Sequence, residues 1–273
     1  MFLVTGASGN VGRHVVAGLR ERGHTVRGLH RRPAGPDTVR GDLTDPGSLD
    51  AAFLGVTGFS LLVLPGVDAA AVLDVARRRG VRRVVLISSG AVVDGVDEQP
   101  NPVAAMHAVA ERAVRESGLA WTILRPRWFA ANSLWWAPAL RAGRPVRGAY
   151  PDAVSAPIHE ADIAEVAVAA LAGAGQDGSV HVLTGPEILT QAEQVRVLAA
   201  VTGRPAEFER ITSEQARADL LRSAPAPVVD TLLAQQAGLT AADIRLSDAV
   251  EAVTGHRPRT FRQWAGEHRA AFT

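Results

Sequence analysis

In the stretch NPVAAMHAVAERAVRESG, Asn101 to Gly118, a histidine stands at position 107 among Val103, Met106 and Ala110, four residues ahead of Glu111. An imidazole of ordinary pKa gives or takes a proton near neutral pH. A carboxylate one helical turn on could orient it and keep it charged. Two roles stay open for His107: moving a proton, or touching a cofactor or substrate without doing so. A second chemical signal lies at the start of the chain. Gly6, Gly9 and Gly12 in VTGASGNVGRHVV follow an apolar run and open a helical pattern, Val11, Val15, Leu19. A turn without side chains lets the backbone approach a pyrophosphate at a helix N-terminus. The expected cradle is Gly6, Ser8, Gly9, Asn10, Val11 and Gly12.

The residue census narrows the chemistry. All 29 basic residues are arginine, so a P-loop lysine and Schiff-base catalysis are excluded. Cysteine is absent as well, which removes disulfides, thiolate nucleophiles and cysteine-ligated metals. No histidine pair has metal-ligand spacing and no G-x-S-x-G elbow occurs, so neither a metal nor serine hydrolysis is expected. A formal net charge of +1 argues against a nucleic-acid face. The run MFLVTG has no charged leader or long apolar stretch, so a cytoplasmic protein without a membrane segment is expected. The wholesale use of arginine reads as bacterial coding bias.

The elements that must carry these residues alternate. FLVT, TVRGLH, TVRGDL, FSLLVL, VRRVVLIS and AWTILR are short apolar runs suited to strands buried on both faces. Helical patterns separate them, which implies an α/β fold with a doubly wound parallel sheet. The texture changes near Arg127. The expectation is a nucleotide-binding domain over residues 1–126, completed by a helix at about 161–173, with a smaller mixed α/β substrate lobe from 127–160 and 174–273. Trp128, Phe129, Asn132, Trp135 and Trp136 cluster after the sixth strand and favour a flat, apolar substrate. Tyr150, the single tyrosine, falls in the same lobe and is counted with them.

The glycine spacing G-x-x-G-x-x-G, together with GDLTD, LISSGA, ESGLAWTILRPRWFAAN, LTGPEILT and VTGHRPRTFRQWAGEH, resembles the NmrA-like branch of the atypical short-chain dehydrogenase/reductase superfamily. The likeness spans nearly the whole chain and implies a Rossmann domain that binds NAD(P). An NAD-selective site places a carboxylate about 20 residues past the glycines; here the position reads LHRRP. Arg31 and Arg32, with Arg13 after the glycines, would pair with a 2′-phosphate, so NADPH is the expected cofactor. The resemblance further implies Asp42 and Leu43 at the adenine, Leu64 and Pro65 along the cofactor, Ser88 beside it and Pro126 near the nicotinamide. It also exposes a departure. The superfamily's usual Tyr-x-x-x-Lys pair is missing. Aligning on Glu111 puts His107 in the lysine's place, Val103 in the tyrosine's and Gly90 in the serine's, with Ser88 and Ser89 slightly early.

The resulting reading is an NADPH-dependent reductase of a small apolar or aromatic carbonyl, enone or quinone, in specialised metabolism, acting as a monomer or homodimer. His107, Ser89 or water would supply the proton. Two other readings stand beside it: an NADP(H)-binding redox sensor without turnover, and an isomerase or dehydratase that keeps the cofactor as scaffold.

Overall fold

A computed structural model describes residues 1–32 and 35–273. The chain divides into two compact units: residues 1–126, 160–183 and 249–256, and residues 127–159, 184–248 and 257–273.

The first unit opens with β1 (Phe2–Val4), α1 (Gly12–Glu21), β2 (Val26–His30), β3 (Thr38–Arg40) and β4 (Gly58–Leu62). It continues with α2 (Ala69–Arg78), β5 (Arg83–Ile87), α3 (Pro102–Glu116) and β6 (Ala120–Pro126). Helix starts are written in the sequence: Asp68 caps α2, and Asn101 caps α3 with Pro102 in its first turn. The second unit begins with β7 (Trp128–Phe129), α4 (Ala137–Arg141), β8 (Val146–Gly148), β9 (Val154–Ser155) and β10 (Pro157–Ile158). The chain then returns to the first unit through α5 (Glu160–Ala172) and β11 (Ser179–Leu183). The second unit resumes with β12 (Leu189–Thr190), α6 (Gln191–Thr202), β13 (Phe208–Arg210), α7 (Ser213–Leu220) and α8 (Ala226–Gly238). Helix α9 (Ala249–Thr254) belongs to the first unit, and α10 (Phe261–Glu267) and α11 (Arg269–Phe272) to the second.

The first unit carries a seven-stranded sheet in the order β11-β6-β5-β4-β1-β2-β3, with every pairing parallel. This is the expected doubly wound sheet, whose reversal of strand order beside β1 opens a crevice at the carboxyl ends. Leu3, Phe53, Phe59, Leu61, Val84, Leu86 and Ile123 fill its core. Helices α1 and α5 pack together, where a side chain at Gly18 would crowd Val168. Two expectations need correction. SVHVL, unassigned in the sequence, is the seventh strand, and α9 joins the same unit. Residues 160, 174–183 and 249–256, expected in the second unit, belong to the first. Among the described residues no helix is long and apolar enough to cross a membrane.

The second unit has only two-stranded pairings: β7 with β10, β9 with β12 and β8 with β13. Its core gathers Val195, Leu198, Phe261, Trp264 and Phe272. Thr190, Thr212 and Thr260 close capping boxes on α6, α7 and α10.

A buried ion pair fastens α3 to the sheet. Arg125 of β6, almost fully buried, donates from Nε to Glu111 Oε1 at 2.9 Å and from Nη2 to Oε2 at 2.7 Å. Ser88 donates to Oε1 at 2.6 Å, and Arg115 to Oε2 at 3.0 Å. The remaining donor capacity of Arg125 goes to Asp94, through two bonds of 2.7 Å. Burial alone would raise the Glu111 pKa. Hydrogen bonds from Arg125 and Ser88 and the charges of Arg125 and Arg115 outweigh it, so the carboxyl titrates below its ordinary range. Removing one partner of such a pair leaves the other charge stranded. Glu111→Gln should therefore cost about 3 kcal/mol in urea unfolding; a loss under about 1 kcal/mol would show that the pair contributes little.

Candidate functional site: a nucleotide cradle and an aromatic pocket

The first turn after β1 is built for close approach. Gly6 adopts φ +61°, which disfavours any residue with a side chain. A Cβ at Gly12 would fall 2.1 Å from the Gly6 carbonyl oxygen, and one at Gly9 would fall 3.1 Å from the same atom. Helix α1 begins from Val11 without a side-chain cap and with no acidic residue in its first turn. Ser8, Gly9 and Asn10 are exposed. An uncapped helix end offers backbone N–H groups and a positive dipole to an anion. Thr5 Oγ1 accepts from Leu62 N at 2.8 Å, which ties the ends of β1 and β4 together beside the cradle. These residues fit a dinucleotide pyrophosphate.

Arg31 and Arg32 follow β2 and are exposed. Asp42 accepts at Oδ1 from Thr44 N at 2.9 Å and from Thr44 Oγ1 at 2.8 Å. Those two bonds, with a smaller contribution from the Arg31 charge, hold its carboxyl below the usual range. Its first task is thus to shape the turn after β3, where Leu43 is buried. Leu64 and Pro65 lie exposed just past β4, and Pro126 is buried at the end of β6, accepting from Gly90 N at 2.9 Å. Arg13 departs from its expected place with the 2′-phosphate: its Nη2 donates to the buried Glu160 of α5 at 3.1 Å. An internal carboxylate has claimed that guanidinium.

His107 lies in the second turn of α3, largely buried, with Nδ1 shielded from solvent and without a hydrogen-bond partner. Burial pushes its pKa down to about 4; the Glu111 charge opposes this but does not prevail. The expected pairing with Glu111, which was to keep His107 charged, is therefore corrected. Glu111 accepts from Ser88 and faces Arg125 and Arg115, whose positive charges neutralise it, and the imidazole is neutral at pH 7. Ser88 is likewise turned inward on Glu111, so its hydroxyl is not presented to a ligand. Ser89 Oγ accepts from Ala91 N at 3.2 Å and shapes the turn after β5.

The second unit holds a cavity of about 470 Å³. Trp128, Phe129, Asn132, Trp135 and Trp136 all line it, as grouped from the sequence. Tyr150 does not line it: its hydroxyl is bonded to Ser213 Oγ at 2.8 Å and its ring packs beside Ala149, Val229 and Leu233. Sequence reasoning missed Arg144, Arg147, Arg222 and Gln191 in the wall. The basic loop RAGRPVRG offered a signal for the first two; Gln191 offered none. Among the described residues no cluster of three or more His, Asp or Glu could hold a metal ion.

Residues 6–174 match the family model described as NAD(P)H-binding, and the chain belongs to that family. It is 38% identical to the (4-alkanoyl-5-oxo-2,5-dihydrofuran-3-yl)methyl phosphate reductase of Streptomyces griseus subsp. griseus, covering 100% of this chain and 99% of the relative. It is 32% identical to the NAD(P)H azoreductase of Xenophilus azovorans, again over 100% of this chain and 99% of the relative. An NADPH-dependent quinone oxidoreductase of Escherichia coli, solved with NADPH, has the same fold: TM-score 0.80, 24% identity, with 98% of this chain and 99% of that one covered. The chain is thus an NAD(P)H-binding oxidoreductase.

The histidine supplies a direct test. An NMR titration of His107 should show a midpoint of about 4; a midpoint near 6.5 would mean that the ring is solvated or paired. Because the folded value lies below the unfolded one, the unfolded chain takes up the proton first. Stability should therefore fall as pH drops from about 6.5 to about 4 and then level off, and His107→Gln should remove that component.

Proposed function

We propose that the protein is an NADPH-dependent reductase of a small, electron-poor acceptor: a quinone, an enone or an α,β-unsaturated lactone. The observation that carries this reading is the neutral His107 in a helix that has neither tyrosine nor lysine. With a pKa of about 4, only about one ring in a thousand is imidazolium at pH 7. That makes His107 a poor general acid. Reduction of an isolated ketone develops a localised alkoxide that needs a strong donor, whereas a quinone or conjugated acceptor spreads the charge and can take its proton from water. The substrate class therefore matches the acid–base groups that remain.

When bound, NADPH supplies a hydride. The glycine turn and the start of α1 would hold its pyrophosphate, and Arg31 and Arg32 its 2′-phosphate, favouring NADPH over NADH. His107, neutral and able to donate one ring N–H, would bind ribose or the carboxamide. The aromatic pocket would hold the flat acceptor and exclude water from it. The substrate named for the Streptomyces relative, an unsaturated lactone bearing an alkanoyl group and a phosphate, belongs to this class. We count it among the candidate substrates.

NADPH oxidation should be followed against simple quinones, enones, a phosphomethyl butenolide and saturated ketones. Turnover with conjugated acceptors and none with saturated ketones is expected; tight NADPH binding without any turnover would favour a redox sensor. Arg31→Ala with Arg32→Ala should weaken NADPH by about ten- to a hundredfold while leaving NADH nearly unchanged, and equal losses would sink the 2′-phosphate assignment. His107→Ala should raise the KM for NADPH and lower kcat less than tenfold. A fall of about 10²- to 10⁴-fold in kcat would instead mark it as the general acid.

A further inference from the structure

The cavity of the second unit is not uniformly apolar. Three arginines line it, Arg144, Arg147 and Arg222, against two acids, Glu209 and Asp219. The acids are spoken for. Arg147 donates to Asp219 at 3.0 Å and lies 3.6 Å from Glu209, while Arg222 lies 3.6 Å from the same Asp219. Arg144 has no side-chain hydrogen bond or ion pair among the described residues, so one positive charge in the wall stands uncompensated.

A second observation concerns Gln191, the first residue of α6, which also lines the cavity. Its Nε2 is shielded from solvent and has no hydrogen-bond partner. A buried amide donor left without an acceptor is unfavourable, a deficit that a ligand carbonyl or ether oxygen would remove. The side chain lies over β8: its Oε1 is 3.7 Å from the point where a Cβ on Gly148 would sit. Arg144 stands four residues earlier, just before β8, about 13 Å away along an extended backbone. The same cavity is also lined by small and apolar residues, with Trp135 and Trp136 among the aromatic ones.

We propose that this pocket selects an acidic substrate: Arg144 anchors a phosphate or carboxylate at one end of β8, and Gln191 donates to a neutral oxygen of the same molecule at the other. The assignment rests on the reading that this pocket takes the acceptor, and it adds the charge and polarity that the acceptor must carry. Arg144 is a specificity residue here, acting on binding and not on hydride transfer. The long, delocalised guanidinium suits an oxyanion at a partly solvated wall. Arg147 and Arg222, already turned on Asp219, tune the local field without serving as the anchor.

The probes are 1-naphthyl phosphate and 1-naphthol, matched in ring and different in charge, with binding followed by calorimetry on the intact protein. The wild type should bind the phosphate at least tenfold more tightly, and raised salt should narrow the gap. Arg144→Ala should reduce phosphate binding about tenfold and leave naphthol unchanged, Arg144→Lys should restore part of the loss, and Gln191→Leu should weaken naphthol, whose one oxygen is neutral, more than the phosphate. Equal affinity for the two probes, or an Arg144→Ala effect shared by both, would overturn the proposal. Steady-state kinetics give the complementary reading. Arg144→Ala should raise KM for a phosphorylated acceptor and leave both kcat and the KM of a neutral quinone as they are. Failure of turnover with every acceptor would count against the reductase reading alone, because the binding comparison needs no chemistry.

Discussion

The pair between Arg125 and Glu111 decides more of this molecule than any other contact. Two charges taken out of water are tolerated only when each is nearly saturated with partners, and here the saturation draws in four elements. Arg125 comes from β6, Glu111 from α3, Ser88 from the end of β5 and Asp94 from the loop that follows. The result is a fixed α3 and a fixed loop at the carboxyl end of the sheet, where doubly wound folds bind ligands. It also sets the chemistry there. With Arg125 and Arg115 neutralising it, the Glu111 carboxylate has too little field left to hold a proton on His107, and the desolvation of the ring prevails. The same pair turns the Ser88 hydroxyl inward. A structural interaction has thus removed two of the groups that would otherwise serve acid–base catalysis.

Much of the first unit was legible because its signals are local. Gly9 and Gly12 are dictated by contacts with Gly6 within seven residues, and five strands announce themselves as largely buried apolar runs, whereas β3, at the sheet edge, is only partly covered. The seventh, SVHVL, hid because its pattern is inverted: Val180 and Val182 are the more exposed positions, while Ser179 and His181 are partly covered. As a sheet-edge strand it obeys no simple apolar alternation. Glu111 was misread for a related reason. It was assigned to its nearest neighbour on the helix, although Ala104, Ala110 and Val114 define a buried stripe to which Glu111 itself belongs. A carboxylate on that stripe, with an arginine inside the buried strand TILRP, was the available signal. Spacing along one helix could not disclose a partner 14 residues away.

The second unit was less legible because side chains from many segments build its pocket. Aromatic clustering in RWFAANSLWW identified one wall. Further lining comes from β8, α6, α7 and α8, whose residues, among them Gly148, Gln191, Leu220 and Leu233, share no local motif. A small cluster of Ala149, Ala216, Val229 and Leu233, separate from the main core around Trp264, supports that side. Arg13 shows the same limit in the first unit: its partner Glu160 is 147 residues away.

This division has a consequence for specificity. The turn after β1 is built from backbone, where Gly6, Gly9 and Gly12 leave almost no freedom: a single added carbon at Gly12 meets the Gly6 carbonyl. The pocket is recognised through side chains that differ widely in burial, with Trp264 and Phe261 fixing the core and Arg144 and Arg222 exposed at the wall. Changes at exposed positions cost little stability, so Arg144 can vary without disturbing the glycine turn or either core. The exposed wall of the pocket is thereby separated from folding, whereas the glycine turn is not. The glycine turn both closes β1 onto α1 and leaves the start of α1 uncapped, so the same residues that make the fold also leave backbone N–H groups open at the helix end.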